Sequence, residues 1–97
     1  MVRKYDTLYF EGETGERTIL LDPDVAMIRL EIKGGSLTAV GYLSKDSDPQ
    51  PLSGISAKDY SVNATMSTGI HTIECSGLYS VVTTYQGNSE VTFKTIV

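Results

Sequence analysis

Ninety-seven residues at 10.5 kDa make one domain, residues 1–97, because chains divide only well beyond this size. At this length roughly 64% of the unfolded chain's surface can be buried, which supports one modest core and leaves little room for a deep cleft. Hydrophobic residues at 40% and charged ones at 21% exclude a disordered chain and a membrane-spanning one. Eight Lys and Arg against twelve Asp and Glu give a net charge of −4, which argues against nucleic-acid binding through phosphate attraction.

In chain order, Lys4–Phe10 and Glu16–Leu21 read as strands that pair across the Gly12–Gly15 loop. The segment Met27–Lys33 alternates with period two: Ile28, Leu30 and Ile32 face one way, Arg29, Glu31 and Lys33 the other. Gly34-Gly35 follows, and two glycines permit the positive φ of a tight turn, so a hairpin is predicted with Ile32 opposite Leu37 and Leu30 opposite Ala39. Asp46–Pro51, with two prolines and two aspartates, reads as an exposed loop. Short strands are placed around Leu52–Ile55 and Tyr60–Ala64, and a longer one at Gly69–Cys75. A second hairpin is predicted around Gly87-Asn88, joining Leu78–Gln86 to Ser89–Val97. Its register sets Val82 and Phe93 on the core face. Seven to nine short strands at about ten-residue spacing predict an all-β antiparallel sandwich or jelly roll. Its core is expected to hold Ile28, Leu30, Ile32, Leu37, Ile73, Val82, Val91 and Phe93.

Catalytic patterns are absent. His71 is the only histidine and Cys75 the only cysteine. Four residues apart on a strand, they lie about 13 Å from each other, too far for a dyad or a shared zinc. Cys75 is expected to be buried beside Ile73, with His71 at the rim of the sheet. A single cysteine forms no internal disulfide. The carboxylates cluster in loops as Glu11/Glu13/Glu16, Asp22/Asp24 and Asp46/Asp48, with Asp59 farther on; calcium is one use for such clusters, and ordinary turn chemistry is the other. None matches an EF-hand loop, and no nucleophile elbow or phosphate-binding loop occurs. The protein is therefore expected to be no enzyme and to need no cofactor or metal.

The hairpin register around Gly87-Asn88 collects Tyr79, Val81, Thr83, Tyr85 and Ile96 on the face opposite Val82. That face is too apolar for open solvent and is predicted to be a contact between copies of the chain. Six tyrosines without tryptophan raise a second possibility, a sugar-stacking platform; Tyr5 and Tyr9 share one face of the first strand by spacing. Residues 1–20 contain no apolar run of the kind a secretory signal needs, so folding in a reducing cytoplasm is expected.

The run Gly69-Ile70-His71-Thr72-Ile73-Glu74-Cys75-Ser76-Gly77-Leu78-Tyr79-Ser80-Val81 resembles a strand, Ser-Gly turn and strand pattern of small phage- and prophage-encoded virion proteins. The resemblance covers Gly69–Val97. It implies a β-sandwich module of a head fibre, capsid decoration or tail-associated part, usually a homo-oligomer and often a trimer, located in the virion with other virion proteins as partners. It carries no functional residue over, since the shared pattern only shapes strands. Two further readings stand beside it: a carbohydrate- or surface-binding module contacting a glycan through exposed tyrosines, and a partner-binding accessory domain of a bacterial host. Neither a nucleic acid nor a membrane is expected as a partner.

Overall fold

The computed structural model describes residues 1–97 and contains ten antiparallel strands and no helix. The strands are β1 (Val2–Tyr9), β2 (Gly15–Leu20), β3 (Met27–Ile32), β4 (Ser36–Tyr42), β5 (Gln50–Leu52), β6 (Gly54–Ser56), β7 (Val62–Asn63), β8 (Gly69–Glu74), β9 (Ser80–Gln86) and β10 (Val91–Ile96). They form two sheets, one ordered β1-β10-β3-β8-β6-β7 and the other β2-β9-β4-β5. β1 pairs with β10, β2 with β9, β3 with β8 and β4 with β5. The chain is thus one long antiparallel ribbon, rolled so that β10 also meets β3 and β9 also meets β4. That order is a jelly roll, with the short pair β6–β7 extending one edge. The three very short strands bring the count to ten, above the seven to nine expected.

Three predicted pairings are replaced. β3 and β4 do not form a hairpin around Gly34-Gly35; they belong to opposite sheets. The same holds for β9 and β10 around Gly87-Asn88, and for β1 and β2 across Gly12–Gly15. The physical reason is common to all three. A chain that crosses from one sheet to the other keeps its inward residues facing the same core, so an arch between sheets and a hairpin within one sheet carry the same alternating pattern. The glycines serve a different purpose from tight-turn closure. Gly35 has φ +85°, and a Cβ there would lie 2.9 Å from the Tyr85 hydroxyl oxygen. That hydroxyl sits between the two crossovers, donating to the Gly34 carbonyl (2.6 Å) and accepting from the Ser89 amide (3.0 Å).

The core lies between the sheets. Ile28, Leu30 and Ile32 of β3, Leu37 and Ala39 of β4, Ile73 of β8 and Val91 and Phe93 of β10 are all buried, as their alternation predicts. In β9 the face assignment is reversed. Val81, Thr83 and Tyr85 are fully buried, whereas Val82 is half-buried on the outer side. β9 carries valine at both 81 and 82, so its pattern is ambiguous, and the assumed hairpin register selected the wrong face. The inward polar side chains of β9, Thr83 and Tyr85, are hydrogen-bonded. Thr83 Oγ1 donates to the Arg17 carbonyl (3.2 Å) and lies 3.0 Å from the Tyr9 hydroxyl, which in turn donates to the Gly15 carbonyl (2.8 Å). The Tyr9 and Tyr85 rings pack with centroids 5.0 Å apart and tilted by 37°.

Candidate functional site

The five residues expected to form one outward contact do not share a face. Val81, Thr83 and Tyr85 point into the core, Tyr79 lies partly exposed just before β9, and Ile96 is half-buried on the outer side of β10 in the other sheet. The tyrosine pair is divided as well. β1 pairs Thr7 with Thr92 but Tyr9 with Val91, so Leu8 is an inserted bulge residue. The bulge turns both Leu8 and Tyr9 inward and leaves Tyr5 outward, 62% exposed. Sequence spacing carries no trace of such an insertion, because period-two counting assumes an unbroken pleat.

His71 is buried rather than at the sheet rim. Its Nε2 lies 2.8 Å from the Ser67 carbonyl, an arrangement that places the proton on Nε2, and its Nδ1 has no hydrogen-bond partner. Cys75 is fully buried, and loss of solvation pushes its thiol up to about 11, with the nearby Glu74 carboxylate adding to the rise. At pH 8 it therefore stays protonated and covered. A thiol-directed disulfide reagent is expected to leave the native protein unmodified and to label one thiol per chain after denaturation; rapid labelling of the native form would contradict this.

Four of the loop carboxylates, Glu13, Asp22, Asp24 and Asp59, have protein partners. Arg3 forms ion pairs with both Asp22 and Asp24. Glu13 accepts the Phe10 amide (2.8 Å) and pairs with Arg17 (3.4 Å); these contacts, the backbone one foremost, hold its carboxyl below the usual range. The Ser61 hydroxyl and amide do the same for Asp59. No three His, Cys, Asp or Glu side chains come together as a metal site would require.

Two surfaces remain, one on each outer side of the sandwich. On the four-stranded sheet, register builds the cross-strand rows Glu16–Thr84–Thr38, Thr18–Val82–Val40–Pro51 and Leu20–Ser80–Tyr42. Glu16 is the only charge in these rows, at one corner. On the six-stranded sheet, the corresponding rows run Tyr5–Lys94–Arg29–Thr72–Ile55–Val62 and Thr7–Thr92–Glu31–Ile70. Between them lies an open depression of about 510 Å³, lined by Val2, Tyr5, Arg29, Leu30, Glu31, Ile70, Thr92, Phe93 and Lys94. Arg29 and Glu31 are recognisable from sequence as outward residues. Their meeting with Lys94 and Tyr5 depends on β10 lying between β1 and β3, which the assumed hairpins conceal.

The architecture defines the class: a jelly-roll β-sandwich. No family model and no curated protein matches the sequence. The fold is shared with solved structures. The SPBc2 prophage-derived protein YomS is similar at a TM-score of 0.77 and 11% identity, covering 97% of this chain and 92% of YomS. The PBSX exported protein XepA is similar at 0.77 and 12% identity, covering 95% of this chain but 37% of XepA, so this domain corresponds to part of that protein. A dTDP-4-dehydrorhamnose 3,5-epimerase from Bacillus anthracis is similar at 0.55 and 15% identity, over 98% of this chain and 53% of the enzyme. At these identities the likeness is one of fold. The expected similarity to prophage-encoded β-sandwich proteins extends along nearly the whole chain instead of its last third.

Proposed function

We propose that the protein is a non-enzymatic structural or adhesive module of a phage or prophage particle, assembled in the bacterial cytoplasm and working as a homo-oligomer, with a trimer as the expected state. End-to-end likeness to a prophage-derived protein of similar length supports the phage assignment. The contact between copies, moved from the buried face of β9, falls on the outer face of the four-stranded sheet. The observation that carries this is the lack of charge there: three cross-strand rows over β2, β9, β4 and β5 contain one carboxylate, on a chain that is 21% charged. Charged residues are depleted from the centres of protein–protein contacts and abundant on free surfaces. Val40, Val82, Leu20, Tyr42 and Pro51 supply apolar area among the threonines.

Molar mass in solution tests this. The native protein is expected to be a stable oligomer at tens of micromolar by light scattering. Val82→Arg is expected to give folded monomers, because an unpaired charge at the centre of a packed contact is costly. Thr84→Arg, at a fully outward position of the same strand, is expected to do the same. A native monomer, or oligomers unaffected by both variants, would overturn the contact.

A further inference from the structure

We propose that the depression on the outer face of the six-stranded sheet binds a carboxylate-bearing saccharide, with Arg29 and Lys94 holding the carboxylate and Tyr5 taking a sugar ring. The proposal gives the adhesive reading its ligand class and rests on that reading; it uses the face opposite the oligomer contact, so the two tests fail independently.

The first observation is electrostatic. Arg29 and Lys94 stand directly opposite each other on β3 and β10. The four ion pairs of the molecule use Arg3, Arg17 and Lys33, so neither Arg29 nor Lys94 has a carboxylate partner. Like charges directly opposite on a sheet oppose its stability, and this chain has an excess of acidic residues from which a partner might have been drawn. Such an arrangement gains its return when an anion settles between the two cations. Arg29 is also oriented: its Nε donates to Thr72 Oγ1 at 3.2 Å, which fixes the guanidinium and leaves its terminal groups to grip a planar carboxylate.

The second observation is the aromatic neighbour. Tyr5 is the next residue in the same cross-strand row, and Lys94 Nζ lies 5.7 Å from its ring centroid. The ammonium steadies the ring while most of the residue stays in solvent. A ring held this way, one step from a cation pair, matches a pyranose that carries its charge on an exocyclic carboxylate.

The third observation is the local charge balance. Glu31 lies beside Thr92 in the adjoining row of the same depression, offering acceptors for sugar hydroxyls. With Arg29 and Lys94 it leaves one net positive charge, which suits one carboxylate per sugar and disfavours a doubly charged phosphate monoester. The depression's volume of about 510 Å³ falls within the span of small-ligand sites, and its openness to solvent suits a segment of a longer chain that continues past both ends.

The test is a titration of the isotopically labelled protein, followed by amide shifts, with oligomers of galacturonate, glucuronate and mannuronate. Their uncharged sugar counterparts and a glycerol-phosphate polymer serve as comparisons. At least one uronate oligomer is expected to shift the amides of Tyr5, Arg29, Ile70 and Lys94 and to bind at least about tenfold more tightly than its neutral counterpart. Lys94→Glu, Arg29→Gln and Tyr5→Ala, all at exposed positions, are expected to melt like the native protein and each to weaken binding about tenfold. Added salt is expected to weaken it as well. No binding by any of the three uronates, equal binding of the neutral sugar, shifts located elsewhere, or unchanged affinity in all three variants would overturn the proposal. A phosphate polymer binding as tightly as the uronates would overturn its carboxylate specificity.

Discussion

Val81→Arg is expected to abolish folding, while Val82→Arg, one residue along the same strand, leaves the domain folded. Val81 is fully buried in the centre of β9, paired with Ile19 on one side and Gly41 on the other, within the core. No carboxylate offers a partner in that interior: none of the Asp or Glu residues is buried. A guanidinium there would be desolvated without a partner, a cost of several kcal/mol. A domain of this size has about 5–15 kcal/mol of stability in total. The substitution also forces a long side chain into a packed interior, which adds a further ~1–3 kcal/mol. At Val82 the same arginine extends outward, away from the core, into solvent or into the proposed contact between copies. Circular dichroism and thermal melting of the two variants decide the matter. A folded Val81→Arg beside an unfolded Val82→Arg would show that β9 faces the other way.

Replacing Tyr85 by alanine is expected to lower stability by about 4 kcal/mol, in the range for losing a large buried side chain. For a domain of this length that corresponds to a fall in Tm of roughly 15–30 °C. Two roles combine at this residue. The ring fills the core against Tyr9, and the hydroxyl ties the Gly34 crossover to the Ser89 crossover, so one side chain joins the arch from β3 to β4 with the arch from β9 to β10. Tyr85→Phe separates the roles. It keeps the ring and removes the hydroxyl, leaving a part-buried carbonyl and amide without that partner, and is expected to cost about 1–3 kcal/mol. A Tyr85→Phe variant as stable as the native protein would mean that the two crossovers hold their positions without the shared hydroxyl.

Both expectations depend on crossovers that the sequence presents as hairpins, and this marks the boundary of what was legible. Ile28, Leu30 and Ile32 alternating with Arg29, Glu31 and Lys33 determine by themselves that this segment is a strand with one buried face. In the same way the chain determines an all-β fold, the positions of its longer strands, a buried Cys75 and most of the core. Such properties depend on neighbours in sequence, where the pleat fixes which side chains point together. Tertiary structure alone decided which strands pair. An arch and a hairpin have identical inward patterns, and only the competition for partners across the whole roll places β10 between β1 and β3. It alone decided the face of β9, where Val81 and Val82 offer the core similar side chains and the hydrogen-bonded Thr83 and Tyr85 settle the choice. The candidate sites follow the same division. Arg29 and Glu31 are outward by local pattern, but Tyr5, Arg29 and Lys94 become one site only because strands distant in sequence meet, and because a single bulge residue, Leu8, separates Tyr5 from Tyr9.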